Sequence, residues 1–213
     1  MSRGVVAVGV AVAIARAAAI AGAEVELVGK VGSGTIGDAI LLDLAASGVG
    51  HVAMLRDGMA AVVDHRDDPT GGMFDDDLGD SPSAFDGTVE PDIDRPTTSI
   101  GPVLDAADVE LALRYLPDYG VVIVAEPLDA AALAAVGDAA RWAGAQLVAV
   151  SAPGSGPGSL PEDATILEAP AHDATGAFAT MVGRYAAALD AGEEPAAAFA
   201  KASKTAGWAS VAD

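Results

Sequence analysis

The chain has 213 residues, enough for one domain of ordinary size with a substantial core. Its 31 Asp and Glu against 11 Lys and Arg give a formal charge of -20, which argues against nucleic acid or an anionic membrane as partner, since both need a basic patch. Cysteine is absent, so disulfides, thiolate catalysis and thiolate metal sites are excluded as well.

Lys30, Lys201 and Lys204 are the only lysines, Asp far outnumbers Glu, and alanine is abundant. A dense carboxylate surface with few lysines suits a salt-rich cytosol, where ions screen the self-repulsion. The composition reads as that of a halophile, archaeal and cytoplasmic. The melting temperature is expected to rise across a potassium chloride series; a flat or falling curve would refute this reading.

Gly4 to Gly22 is almost wholly apolar, with Arg3 before it. It imitates a signal peptide and approaches the length of a membrane span. However, the run is mostly Ala and Val, contains Arg16, and leads directly through Ala21-Gly22-Ala23 into the next unit. The expectation is no membrane segment, a central strand over Gly4–Val12 with Val8, Val10 and Val12 alternating, and a packed helix over Ala13–Ala21.

Glu24 to Asp57 reads as one βαβ unit, which implies a parallel sheet. Val25, Leu27 and Val31 take one phase of a strand, and Glu24 and Glu26 the other. Ile40, Leu41, Leu44 and Ala45 then recur at helical spacing from Asp38 onward, and Gly48 ends the helix. His51 to Leu55 has the composition of a second strand. Between strand and helix, Gly32-Ser33-Gly34-Thr35-Ile36-Gly37 spells G-x-G-x-x-G, with Asp57 near the next strand's end. In that position it fits a dinucleotide-binding fingerprint.

The same stretch resembles the ribokinase (PfkB) family of carbohydrate and nucleoside kinases. Gly29, Lys30, Val31, Gly32, Gly37, Leu41, Leu44, Gly48 and Val49 stand where that family places them. The resemblance accounts for Gly29-Lys30-Val31 and Gly48-Val49, which the dinucleotide fingerprint does not. It makes Gly29, Gly32, Gly34 and Gly37 the substrate-side glycine turn. One departure is Gly34, where the family usually carries an Asp. The family also has a sugar-holding Asp and a Gly-Gly and Asn segment; nothing before Glu24 offers these, and the 213 residues contain no asparagine.

Residues 64–103 are irregular and acidic. Ala60–Asp64 has the pattern of a short strand, and Asp67, Asp68, Asp75, Asp76, Asp77 and Asp80 follow with Gly71-Gly72. Calcium loops alternate their ligands and close with Glu; this run does neither, so no metal site is read here. His51, His65 and His172 likewise lack ligand spacing. In the family this region carries a β lid over the sugar that often pairs two subunits. Here a reduced or absent lid is expected.

Order returns with a helix over Asp105–Leu116, capped by Asp105. GVVIVA, 120–125, is continuous enough for a strand buried on both faces. A helix over Leu128–Ala143 closes at Gly144, and QLVAV, 146–150, is the next buried strand. Ser151 to Ser159 is a Gly/Pro turn in which Ser151, Gly154 and Gly156 resemble a loose remnant of the family's nucleotide loop.

Leu167 to Trp208 restores the resemblance. Asp173, Thr175, Gly176 and Ala177 match the start of the family's D-[TS]-T-G-A-G-D-A-F motif. A helix to about Asp190, the Ala191-Gly192 turn, and an alanine-rich helix from Pro195 follow in the family's layout. The resemblance implies an anion hole of backbone N–H groups at Thr175 to Ala177, ATP with Mg2+ as cofactors, and Asp173, Thr175, Gly176 and Ala177 as nucleotide- or anion-binding residues. Asp173 and Thr175 read equally well as helix caps. The motif's closing Asp, the general base, is missing: Phe178-Ala179 follows Ala177, and no catalytic residue is assigned.

The sequence is therefore identified as a shortened, degenerate ribokinase-like protein, 1–213 in one domain. Its expected fold is three-layer α/β/α around a mostly parallel sheet. Expected functions are a sugar or nucleoside kinase with altered residues and little activity, a non-catalytic nucleotide- or partner-binding pseudokinase, or a dinucleotide-binding protein acting through 32–37. A small-molecule sugar or nucleotide is the expected ligand, and a homodimer is the expected assembly, as the resemblance implies.

Overall fold

The structure, a computed structural model, describes residues 3–6, 10–57, 104–116, 118–154, 161, 163–173 and 175–208. The expected strand at 60–64, the acidic segment 64–103 with its lid, and Gly156–Ser159 lie outside the described residues. Seven strands and six helices are formed by these residues. In chain order they are β1 (Arg3–Val6), α1 (Val10–Ile20), β2 (Glu24–Leu27), β3 (Gly29–Gly32), α2 (Thr35–Ala46), β4 (Met54–Asp57), α3 (Ala106–Arg114), β5 (Val121–Val124), α4 (Ala130–Ala143), β6 (Gln146–Ser151), β7 (Thr165–Glu168), α5 (Ala177–Asp190) and α6 (Pro195–Ala206).

Five strands form a sheet in the order β2-β1-β5-β6-β7, and every pairing is parallel. β3 and β4 form a second parallel pair. The two are joined at Gly50, which bridges Glu26: Leu27 N–H donates to the Gly50 carbonyl, and Gly50 N–H to the Val25 carbonyl, both at 2.8 Å.

β5 explains the layers. Val121 and Ile123 belong to one apolar cluster with α1, α5 and α6; Val122 and Val124 belong to another with α3 and α4. A strand buried on both faces has no polar phase, which is why GVVIVA reads as an unbroken apolar run. The result is the expected three-layer α/β/α arrangement.

Caps punctuate the helices. Asp105 accepts from Asp108 N–H at 2.9 Å while the Asp108 carboxylate accepts from Asp105 N–H at 3.0 Å, a reciprocal capping box at the start of α3. Asp129 caps α4, and Gly144 ends it at φ 67. α1 and α5 pack closely enough that a Cβ on Gly183 would lie 2.6 Å from both the Ala17 Cβ and the Ile14 carbonyl.

Several sequence expectations are corrected. The strand read over Gly4–Val12 is short, because α1 already begins at Val10. Its buried residues Ala11, Ile14, Ala15 and Ala18 follow helical spacing, and this outweighs the alternation of Val8, Val10 and Val12. The strand read across 24–31 is broken at Val28 into β2 and β3. Glu26, on the strand phase opposite Val25 and Leu27, is nevertheless buried at 8% exposure. Its carboxylate accepts from Val52 N–H at 3.4 Å, which holds the loop before β4 against β2. β4 starts at Met54 rather than His51, and β7 was not expected.

Candidate functional site

Two glycine turns follow the carboxyl ends of parallel strands, where ligands gather in open α/β sheets. The first lies between β3 and α2. Gly29 and Gly32 are buried within β3, and Gly34 begins α2 at φ 123, a conformation that favours glycine. Gly37 is required for a different reason: a Cβ there would stand 2.0 Å from the Gly32 carbonyl oxygen. The first turn of α2 is thus pressed against the end of its own strand. Asp38 in that turn pairs with Arg56 of β4 at 2.7 Å.

Lys30, within β3, pairs with Asp108 of the α3 capping box, both side chains being largely buried. Burial pushes the Asp108 carboxyl up. The Lys30 ammonium and the Asp105 N–H outweigh that and hold it below the usual carboxylate value. Lys30 therefore ties β3 to α3.

The second turn lies between β7 and α5. Asp173 Oδ1 accepts from Phe178 N–H at 3.2 Å and Oδ2 from Ala179 N–H at 3.1 Å, while its carbonyl accepts from Gly176 N–H at 3.0 Å. Gly176 takes φ 67 to complete the turn. Asp173 thus caps the start of α5. Gly176 N–H is engaged too, whereas the Thr175 and Ala177 N–H groups have no hydrogen-bond partner among the described residues. Thr175 is exposed. Replacing Asp173 by Ala is expected to lower stability by about 1 kcal/mol. Hydrogen exchange at Phe178 and Ala179 should accelerate; unchanged exchange would refute the cap.

Phe178 packs against Trp208 with ring centroids 5.3 Å apart, so the end of α6 supports the first turn of α5. At the end of β7, Glu168 accepts from Gly154 N–H at 2.9 Å, and Ala169 N–H donates to the Ser151 carbonyl at 2.9 Å. Ser151 and Gly154 are thereby held at the end of the strand that leads to Asp173.

Sequence reasoning missed Glu126. It follows β5 and accepts from Val10 N–H, the first residue of α1, at 3.1 Å. Burial raises its carboxyl pKa, and the bond from Val10 offsets part of that. A lone acid after a fully apolar strand was the available signal. The point between β1 and β5 is where the chain's strand order reverses, so Glu126 and the start of α1 occupy the switch point of the five-stranded sheet. The G-x-G-x-x-G turn does not: it follows β3, in the separate two-strand pair.

Among the described residues no three His, Cys, Asp or Glu side chains group together as metal ligands, and no helix is long and apolar enough to cross a membrane. An apolar cavity under α3 and α4 is lined by Val28, Leu104, Val109, Leu113, Val122 and Val124. It lies within the second apolar cluster and offers no polar group to orient a ligand.

No protein-family model and no curated protein matches the sequence. Solved structures do match. The chain is similar to Sa239 at TM-score 0.60 and 11% identity, covering 96% of this chain and 89% of that one. It is similar to the PfkB protein from Polaromonas sp. JS666 at TM-score 0.58 and 13% identity, covering 97% and 94%. It is also similar to a putative Ribokinase II from E. coli, in complex with ATP and Mg2+, at TM-score 0.58 and 12% identity, covering 95% and 90%. The fold is the ribokinase-like α/β/α fold.

Proposed function

We propose that this chain is a shortened, degenerate relative of the PfkB carbohydrate kinases, a single domain over 1–213. In this reading it binds the phosphates of a nucleotide at the α5 turn and transfers phosphoryl groups slowly or not at all. The observation that carries the reading is the strand–Asp173–Gly176–helix turn; in this reading Phe178-Ala179 follows Ala177 where the family has a Gly and its base Asp, these two being deleted or replaced. The ribokinase-like fold, and the neighbour solved with ATP and Mg2+, support a nucleotide as ligand. Asp173 holds the turn, Gly176 shapes it, and Ala177 with Thr175 faces the anion. Gly29, Gly32, Gly34 and Gly37 form the substrate-side turn. With no carboxylate cluster among the described residues, Mg2+ would arrive on the nucleotide's phosphates rather than in a protein cage. The halophilic, archaeal and cytoplasmic readings belong to the same proposal and rest on composition.

The dinucleotide alternative is weaker. Pyrophosphates in such folds sit at the switch point, and 32–37 lies away from it. Calorimetric titration in molar potassium chloride separates the readings. ATP with Mg2+ is expected to bind weakly and more tightly than NAD. Tighter binding of NAD would favour the dinucleotide reading, and no heat with either would sink the nucleotide site.

A further inference from the structure

We propose that the outer strip of α3 formed by Glu110, Leu111, Arg114 and Tyr115 is an isologous contact with a second copy of this chain. The four residues share one side of the helix. All are exposed, Leu111 at 43% and Tyr115 at 69%. Glu110 and Arg114 stand at i and i+4 in the order that favours an ion pair. Neither has an ion-pair or hydrogen-bond partner among the described residues. Most other described cations are paired: Arg16 with Asp43, Lys30 with Asp108, Arg56 with Asp38, Arg141 with Asp138 and Lys201 with Glu193. In a chain with so few cations, an unpaired arginine one turn from an unpaired glutamate is unusual.

Two-fold symmetry supplies the missing partners. When α3 packs antiparallel on its own copy, with the axis between Glu110 and Arg114, each Glu110 faces the partner's Arg114. Leu111 and Tyr115 then lie among the two bridges, an apolar centre flanked by charge. α4 packs beside α3 in the same apolar cluster, and Tyr119, between α3 and β5, donates its Oη to the Ala139 carbonyl of α4 at 3.2 Å, fixing the end of α3's connection against α4. Tyr and Arg, both present in the strip, are among the residues that carry interfaces.

The strip's own charges choose the occupant. It carries one acid and one base in self-complementary register, whereas another acidic protein would leave Glu110 facing carboxylates. Net charge opposes pairing of two such chains, and molar salt removes that opposition over distances beyond a few ångströms. The apolar centre supplies affinity, and the bridges fix the orientation.

The test is sedimentation equilibrium in molar potassium chloride on the wild type, E110R, R114E, the double variant and an equimolar mixture of the single variants. Circular dichroism verifies folding. The wild type should dimerise, and each single variant should weaken the dimer about tenfold, because it converts both bridges into repulsions. The double variant should recover. The mixture should recover as well, since every charge of one protomer then faces its opposite on the other. Recovery in trans cannot come from a changed helix within one protomer. A wild-type monomer at all accessible concentrations, a dimer indifferent to the single swaps, or a mixture that stays weak would overturn the proposal.

Discussion

In a coupled ADP-release assay in molar potassium chloride, ribose, fructose, ketodeoxygluconate and adenosine are expected to be turned over about 10²–10⁴-fold more slowly than a typical enzyme manages. Phosphoryl transfer relies on positioning and charge stabilisation, with a base to accept the hydroxyl proton. Loss of a general base removes about that factor. At the α5 turn the residues after Ala177 are Phe178 and Ala179, and both are buried hydrophobic side chains. Asp173, the adjacent carboxylate, has both oxygens engaged by Phe178 and Ala179 N–H groups. Drawing a substrate proton would require it to release the helix cap. Losses at one site do not add simply, but under the proposed function the absent base and the engaged Asp173 act in the same direction. Turnover within about tenfold of the usual median of roughly 10 s⁻¹ would show that another carboxylate serves. Glu126→Gln would then be the first variant to make, because Glu126 is the burial-raised acid at the sheet's switch point.

The second large effect concerns packing. Gly183→Ala and Gly37→Ala should each lower stability by about 3 kcal/mol, the upper part of the range for overpacking. Alanine in a helix interior normally gains about 1 kcal/mol over glycine. That gain is outweighed here. At Gly183 the new Cβ meets the Ile14 carbonyl and the Ala17 Cβ at 2.6 Å, and at Gly37 it meets the Gly32 carbonyl at 2.0 Å. These are backbone atoms or a Cβ, so no side chain can rotate aside. α1 and α5 would have to separate, and both feed the same apolar cluster. A domain holds only about 5–15 kcal/mol in total. Urea unfolding of both variants, in the salt that stabilises the parent, provides the measurement. Losses under about 0.5 kcal/mol at both positions would mean that the close approaches relax freely.

What the sequence determined by itself is local. The apolar run 120–125 called for a strand covered on both faces, and β5 is buried throughout. Asp105 announced α3, Pro195 announced α6, and Gly48 and Gly144 announced the ends of α2 and α4. The α5–α6 hairpin was legible from helical spacing around the Ala191-Gly192 turn. Each signal works within one or two turns of chain, because backbone conformation and capping are satisfied by near neighbours.

Tertiary structure decided the rest. Val8, Val10 and Val12 alternate as a strand does, but α1 starts at Val10 because its Ala11, Ile14, Ala15 and Ala18 face is buried at the helical period. Glu24 and Glu26 alternate too, yet Gly50 bridges β2 on its outer side, and Glu26 is covered by that loop instead of facing water. β7 is short and largely exposed, so its apolar pattern is faint; pairing with β6 makes it a strand. That Asp173 accepts from the Phe178 and Ala179 N–H groups, and that Glu126 meets the start of α1, depend on contacts that the chain makes only once folded. Glu126 and Val10 are 116 positions apart, and the parallel crossovers that bring them together leave no local pattern in the sequence.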